Sequence, residues 1–146
     1  MIWRGYNNFG IVAVAIYSAV EAAGGLSISK AVVVAPLVMH KETMKLFKGN
    51  FGGRGIAALV SSRPELFLNF RARFEAGLPV SFNAIQYLIS TRALAVEGSR
   101  LGLVEPMLIT KEFGERAKTI KKVAPKIATL LDSPVDEIYL NLRIVL

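Results

Sequence analysis

The sequence predicts a mainly α protein: a helical domain with a winged-helix-like core and a small β-hairpin wing. Three observations carry that prediction. Long stretches place apolar residues at helical spacing. Helix starts are marked by proline or capping residues, as at Pro64 and at Ser133-Pro134-Val135-Asp136. A single pair of short apolar runs, Leu94 to Val96 and Leu101 to Val104, flanks a turn at Glu97-Gly98-Ser99-Arg100. No repeat or linker divides the 146 residues, so 1–146 is expected to form one domain. The winged-helix-like portion covers about 56–105 and a C-terminal helical portion about 111–146.

The first element is a helix from Asn8 to Ala23, apolar on nearly every face and therefore surrounded by other protein, ended by Gly24-Gly25. Its uncharged stretch, Gly5 to Val20, is short for a membrane span, and Asn7, Asn8 and Gly10 interrupt its start. The apolar run Ser29 to Met39 is read as a second buried helix entered through Ser27 or Ser29, because Pro36 argues against a central strand. His40 to Phe47 forms a short amphipathic helix, and the glycine-rich Lys48 to Gly55 a loop. Ile56 to Ser62 is a short helix. Pro64 to Ala76 is the next, with Leu66, Phe67, Phe70 and Phe74 facing inward. Leu78-Pro79 makes a turn, Ser81 caps a helix to about Ala93 with Phe82, Ile85, Leu88 and Ile89 on one face, and the hairpin follows. Helix, turn, helix, hairpin is the order of a winged helix. Glu112 to Leu131, interrupted or kinked at Pro125, and Val135 to Ile144 complete the chain.

Composition excludes several chemistries. The absence of cysteine rules out disulfides and thiolate sites, and one histidine is too few for a usual zinc site, so no metal or other cofactor is expected. The loop Gly49 to Gly55 lacks the Gly-Lys-Ser/Thr ending of a nucleotide loop and has no strand before it. His40 next to Lys41 offers the one base beside a cation, but Glu42 does not point the same way on a helix, so packing or capping is the simpler role. No Ser-His-Asp set or paired carboxylates can be assembled, and the chain is expected not to be an enzyme.

Hydrophobic residues at 53% and charged ones at 20% leave more apolar surface than a typical domain needs, pointing to a covered partner face. The net charge of +7 is concentrated in residues 1–60 and 111–126. Lys111, Arg116, Lys118, Lys121, Lys122 and Lys126 form a basic helix able to contact phosphates or an acidic partner, with Ile120, Val123, Ile127 and Leu130 on its core side. The recognition-type helix from Ser81 offers only Asn83, Gln86 and Arg92 for base or phosphate contacts, so protein docking suits it better than sequence-specific DNA reading.

The order and wording of the motifs resemble the middle components of three-component ABC-ATPase systems, which include the small subunit of Lamassu-type defence systems. The resemblance rests on the apolar run ending Ala35-Pro36-Leu37-Val38-Met39-His40-Lys41, on Arg63-Pro64-Glu65-Leu66, on Phe70, Arg71, Arg73 and Phe74, and on the hairpin and the Ser133-Pro134 helix start. It implies a cytoplasmic anti-phage or anti-plasmid system in which an SMC-like or RecF-like ATPase senses foreign DNA and a nuclease-type effector does the damage. The middle component joins the two and has no membrane role. Pro36, His40, Lys41, Pro64 and Glu65 are the motif residues. Arg54, Arg71, Arg73, Arg92, Lys118, Lys121, Lys122 and Lys126 are the candidates for partner or DNA-backbone contacts. The rival readings are a free-standing winged-helix transcription regulator and, more remotely, a small hydrolase using His40.

Overall fold

The computed structural model describes residues 2–49, 55–107 and 114–145, with side chains from residue 8 onward. The described elements run α1 (Ile2–Ala23), β1 (Leu26–Ser27), α2 (Ile28–Val38), α3 (Lys41–Lys48), α4 (Ile56–Ser62), a 3-10 turn (Pro64–Phe67), α5 (Phe70–Ser90), β2 (Leu94–Glu97), β3 (Arg100–Leu103), α6 (Gly114–Leu130) and α7 (Val135–Leu142). The mainly α expectation holds.

Helix α1 is the centre of the molecule. Residues 11–20 are all buried, which is why the sequence is apolar on every face there, and α2, α5 and α6 pack around it. Its C-terminus closes with Gly24 at φ +70, the Gly25 N–H donating to the Val20 carbonyl at 3.0 Å. Ser27 then caps α2, its Oγ accepting from the Lys30 N–H at 3.3 Å. In α2 every residue from Ala31 to Val38 is buried. The same core takes in Phe47 of α3, Ile56 and Leu59 of α4, Ile120 and Ile127 of α6, and Ile138 of α7.

The hairpin forms in the predicted place, with Val96 opposite Leu101 and Leu94 opposite Leu103. A third strand had no sequence signal. The two-residue β1 pairs antiparallel with β3, Leu26 opposite Leu101, giving the sheet order β1-β3-β2. Strand β1 is too short to show alternation; it is made by the chain crossing from α1 to α2 beside β3.

Several boundaries depart from expectation. The Leu78-Pro79 turn does not form: α5 is one helix of 21 residues running through Gly77 and Pro79, so the expected helix-turn-helix at the centre of the winged-helix-like portion is absent. Proline within a helix costs about 3 kcal/mol. The offset is the unbroken inner stripe of Phe70, Phe74, Ser81, Ala84, Ile85 and Leu88, which a turn would split into two misaligned halves. Ser81 is consequently a fully buried mid-helix residue rather than a cap, with no hydrogen-bond partner for its hydroxyl among the described residues. Phe82 and Ile89, expected on one face with Ile85 and Leu88, are 48% and 37% exposed, because the register of the continuous helix turns them outward while Ile85 and Leu88 are buried. The helix expected from Pro64 is a single 3-10 turn ended at Leu68, and α5 starts after Asn69 in left-handed conformation. Helix α6 continues through Pro125, and α7 starts after Pro134 without a side-chain cap from Ser133.

Candidate functional site

Two of the motif segments, those of Pro36 and Leu66, are joined by Arg73 of α5. The last carbonyls of α2 have no intrahelical donors, and the carbonyl of Pro36 is one of them. The Arg73 guanidinium donates to that carbonyl through Nη1 at 2.9 Å and to the Leu66 carbonyl of the 3-10 turn through Nη2 at 2.6 Å. It also lies 5.0 Å from the centre of the Phe70 ring. One side chain thereby ties the Ala35-Pro36-Leu37 segment, the Pro64-Glu65-Leu66 segment and α5 to each other. Burial lowers the Arg73 pKa from its ordinary value, but its donors satisfy carbonyls that the fold would otherwise leave bare.

His40 sits just before α3, half-buried, with Nδ1 hydrogen-bonded to the Thr43 hydroxyl at 2.7 Å. Burial lowers its pKa below 6.5, the Arg73 charge lowers it further, and Glu42 opposes both. The neutral imidazole is therefore favoured. Thr43, the only hydroxyl it engages among the described contacts, is itself fully buried and closed to substrate. Glu65 is exposed; the Arg63 Nε, 2.7 Å from its Oε2, holds its carboxyl below the usual range, with its own backbone N–H helping. Pro64 opens the 3-10 turn and Lys41 opens α3, both exposed.

The contact candidates are not equivalent. Arg73 is engaged as described, and Lys126 donates to the carbonyls of Phe47 at 2.7 Å and Gly49 at 2.8 Å, capping the end of α3. Arg71 is exposed and pairs with Glu75 at 3.0 Å on the surface of α5. Arg92 is exposed, at φ +66 in the turn that ends α5, where the Ala93 N–H donates to the Leu88 carbonyl. Lys118, Lys121 and Lys122 are exposed on α6. Arg54 lies outside the described residues, as does Lys111. Sequence reading passed over Thr43 as the partner of His40, and Lys45 and Lys48 as basic residues in step with Lys41; the i, i+4, i+7 spacing of the three lysines was the available signal.

The described cleft with chemistry on its walls, about 320 Å³, lies between the end of α1, the start of α2 and the end of α6. It brings Lys30, Arg100 and Asp132 together with no histidine or other nucleophile-and-base pair. The Arg100 guanidinium lies over Gly25, whose φ of +118 is a backbone conformation that favours glycine. No group of His, Asp or Glu able to hold a metal occurs among the described residues, and none of their helices is long and apolar enough to cross a membrane.

Fold and site define a class: a small, mainly α protein with a three-stranded antiparallel sheet, whose motif residues lock its own helices together. Within that class, the model of the ABC-three component system Middle Component 3 family matches residues 11–146, and the chain belongs to that family. The resemblance drawn from the motif residues is thus borne out. The family's name makes its members partners of the other components of such a system. No curated protein and no solved structure matches the chain.

Proposed function

We propose that this chain is a non-catalytic accessory subunit that bridges an SMC-like or RecF-like ABC ATPase and a nuclease-type effector in a cytoplasmic anti-phage or anti-plasmid system. Membership of a middle-component family supports it. The observation that carries it is the exposure of large apolar side chains along α5 and the hairpin: Phe82, Tyr87 and Ile89, then Val96, Leu103 and Val104, each 37–49% exposed. Phe82 and Ile89 stand seven residues apart on one row of α5, so a partner helix or loop can engage both. Exposed apolar side chains grouped this way mark protein interaction sites, and aromatic residues are enriched in interface cores. The cations of the chain then add phosphate or acidic complementarity within the assembly.

The test is affinity capture of the tagged chain from its native host, with the mass of the eluted complex measured. Co-elution of a large coiled-coil ATPase and an effector subunit is expected, and Phe82→Asp with Ile89→Asp should reduce capture of at least one partner by tenfold or more. Recovery of the chain as a lone symmetric dimer would sink the reading.

A second reading, a winged-helix transcription regulator, draws on the sheet order β1-β3-β2 with α5 leading directly into the hairpin. The outward residues of α5 from Phe82 to Ser90 include no cation, which weighs against it, because groove binding needs several. A purified homodimer selecting one DNA sequence would establish that reading.

A further inference from the structure

The basic helix foreseen in the sequence is half of a larger surface. Helices α3 and α6 run side by side. Met39, just before α3, accepts from Arg116 near the start of α6 at 3.4 Å, while the carbonyls that end α3 accept from Lys126 ten residues further along. At about 1.5 Å per residue the two helices keep pace over roughly 15 Å. Each turns its apolar side to the core, Thr43 and Phe47 on α3 and Ile120, Val123 and Ile127 on α6. Opposite those residues Lys41, Lys45 and Lys48 are exposed along α3, and Lys118, Lys121 and Lys122 are exposed along α6.

The charge on these two helices is unusually one-sided. Together they hold eight cations and two acids, which accounts for six of the chain's seven net positive charges. Both acids, Glu42 and Glu115, lie beside a lysine of their own helix, at 3.5 Å from Lys45 and 3.4 Å from Lys118, in pairs more than half exposed. Such pairs are worth about 0–1 kcal/mol and yield readily to a stronger anion.

We propose that the α3–α6 face binds the phosphate backbone of double-stranded nucleic acid without reading its sequence. This deepens the phosphate complementarity of the bridging role and rests on that reading for its setting, but not for its physics. An acidic protein is the other conceivable occupant, and two observations disfavour it. Lysine is depleted from protein interfaces, where aromatic and apolar anchors dominate. Among the described residues the large exposed apolar side chains lie on α5, the hairpin, the segment before α5 and the C-terminal part of the chain; α3 and α6 carry none. A lysine surface without an apolar centre suits a partner whose binding is almost wholly electrostatic.

The experiment is a fluorescence-anisotropy titration of a labelled 30-base-pair DNA duplex with the purified full chain, repeated across a salt series. Lys45→Glu with Lys48→Glu, and separately Lys118→Glu with Lys122→Glu, should each weaken binding by tenfold or more. The parallel glutamine pairs should lower the slope of log affinity against log salt by about 2, near 0.9 for each phosphate no longer neutralised. Arg63→Glu with Arg143→Glu makes the same change in net charge elsewhere and should weaken binding far less. Thermal melts of all variants should match the parent, since the substituted side chains are exposed. Three results would overturn the proposal: no duplex binding at low salt, an equal effect from the Arg63/Arg143 pair, or competition by polyglutamate as effective as by unlabelled duplex. Loss of duplex binding with partner capture intact leaves the subunit role standing, so the two ideas fail separately.

Discussion

Arg73 is the side chain on which three separate stretches of sequence converge, and its value is structural. Removing it leaves the Pro36 and Leu66 carbonyls without their donors. Arg73→Ala should lower stability by about 2–3 kcal/mol, the range for a charged hydrogen-bonding group whose partners stay bare. Arg73→Lys should recover only part of this, because an ammonium cannot span both carbonyls as a planar fork does. Chemical denaturation of the three proteins measures it. His40 makes a prediction of a different kind. Its folded pKa is depressed, so below 6.5 the unfolded chain binds the proton more readily. The stability this residue contributes is fully present above that value and is lost as pH falls through it toward the folded pKa. Melting temperature should therefore decline on acidification from about pH 7 to pH 5, and His40→Gln should flatten that part of the profile. An unchanged profile would mean that the imidazole is as solvated in the fold as in the unfolded chain.

At the scale of elements, α5 shows how burial overrides local signals. Gly77, Leu78 and Pro79 together read as a turn, yet the helix continues because its inner stripe is already committed on both sides of them. Gly77 is an ordinary helical position, and a Cβ there would meet Ala35 and Pro36 only at 3.8 and 3.9 Å, normal van der Waals contact. Gly77→Ala should therefore stabilise the protein by about 0.5–1 kcal/mol, the usual penalty of glycine inside a helix, visible as a raised denaturation midpoint. The helix limits that were legible in the sequence, at Gly24, Ser27 and Ser62, share a cause. Each is set by a residue whose own backbone preference or side chain ends or starts a helix locally. Those that were not legible, the early end of the turn from Pro64 and the continuation of α5 through Pro79, depend on what packs against the segment.

For the whole molecule, the surface divides by chemistry. Large exposed apolar side chains emerge on α5 and the hairpin and at Leu68, Leu140 and Val145, and exposed lysines on α3 and α6. If the two faces serve different partners, their variants should separate: Phe82→Asp with Ile89→Asp should cut capture of at least one partner by tenfold or more and leave duplex binding within about twofold, since it adds charge away from the lysines of α3 and α6. Lys45→Glu with Lys48→Glu should do the reverse. Capture and anisotropy measured on the same preparations decide it, and variants that lose both together would mean one shared interface.

Much about this chain was settled by local chemistry that tertiary contacts could not change: a mainly α content, a first helix apolar on nearly every face, a hairpin at 94–103, the basic character of α6, and the motif order that marks its family. These follow from periodicity, capping and side-chain type, which are properties of short stretches. The third strand, the unbroken α5, the outward turn of Phe82 and Ile89, and the capture of Arg73 and Lys126 by backbone carbonyls were decided by the tertiary structure. Each depends on segments far apart in sequence meeting in the core. A cation reads the same in a sequence whether it waits for a phosphate or already caps a helix, and only the position of the nearest bare carbonyl tells the two apart.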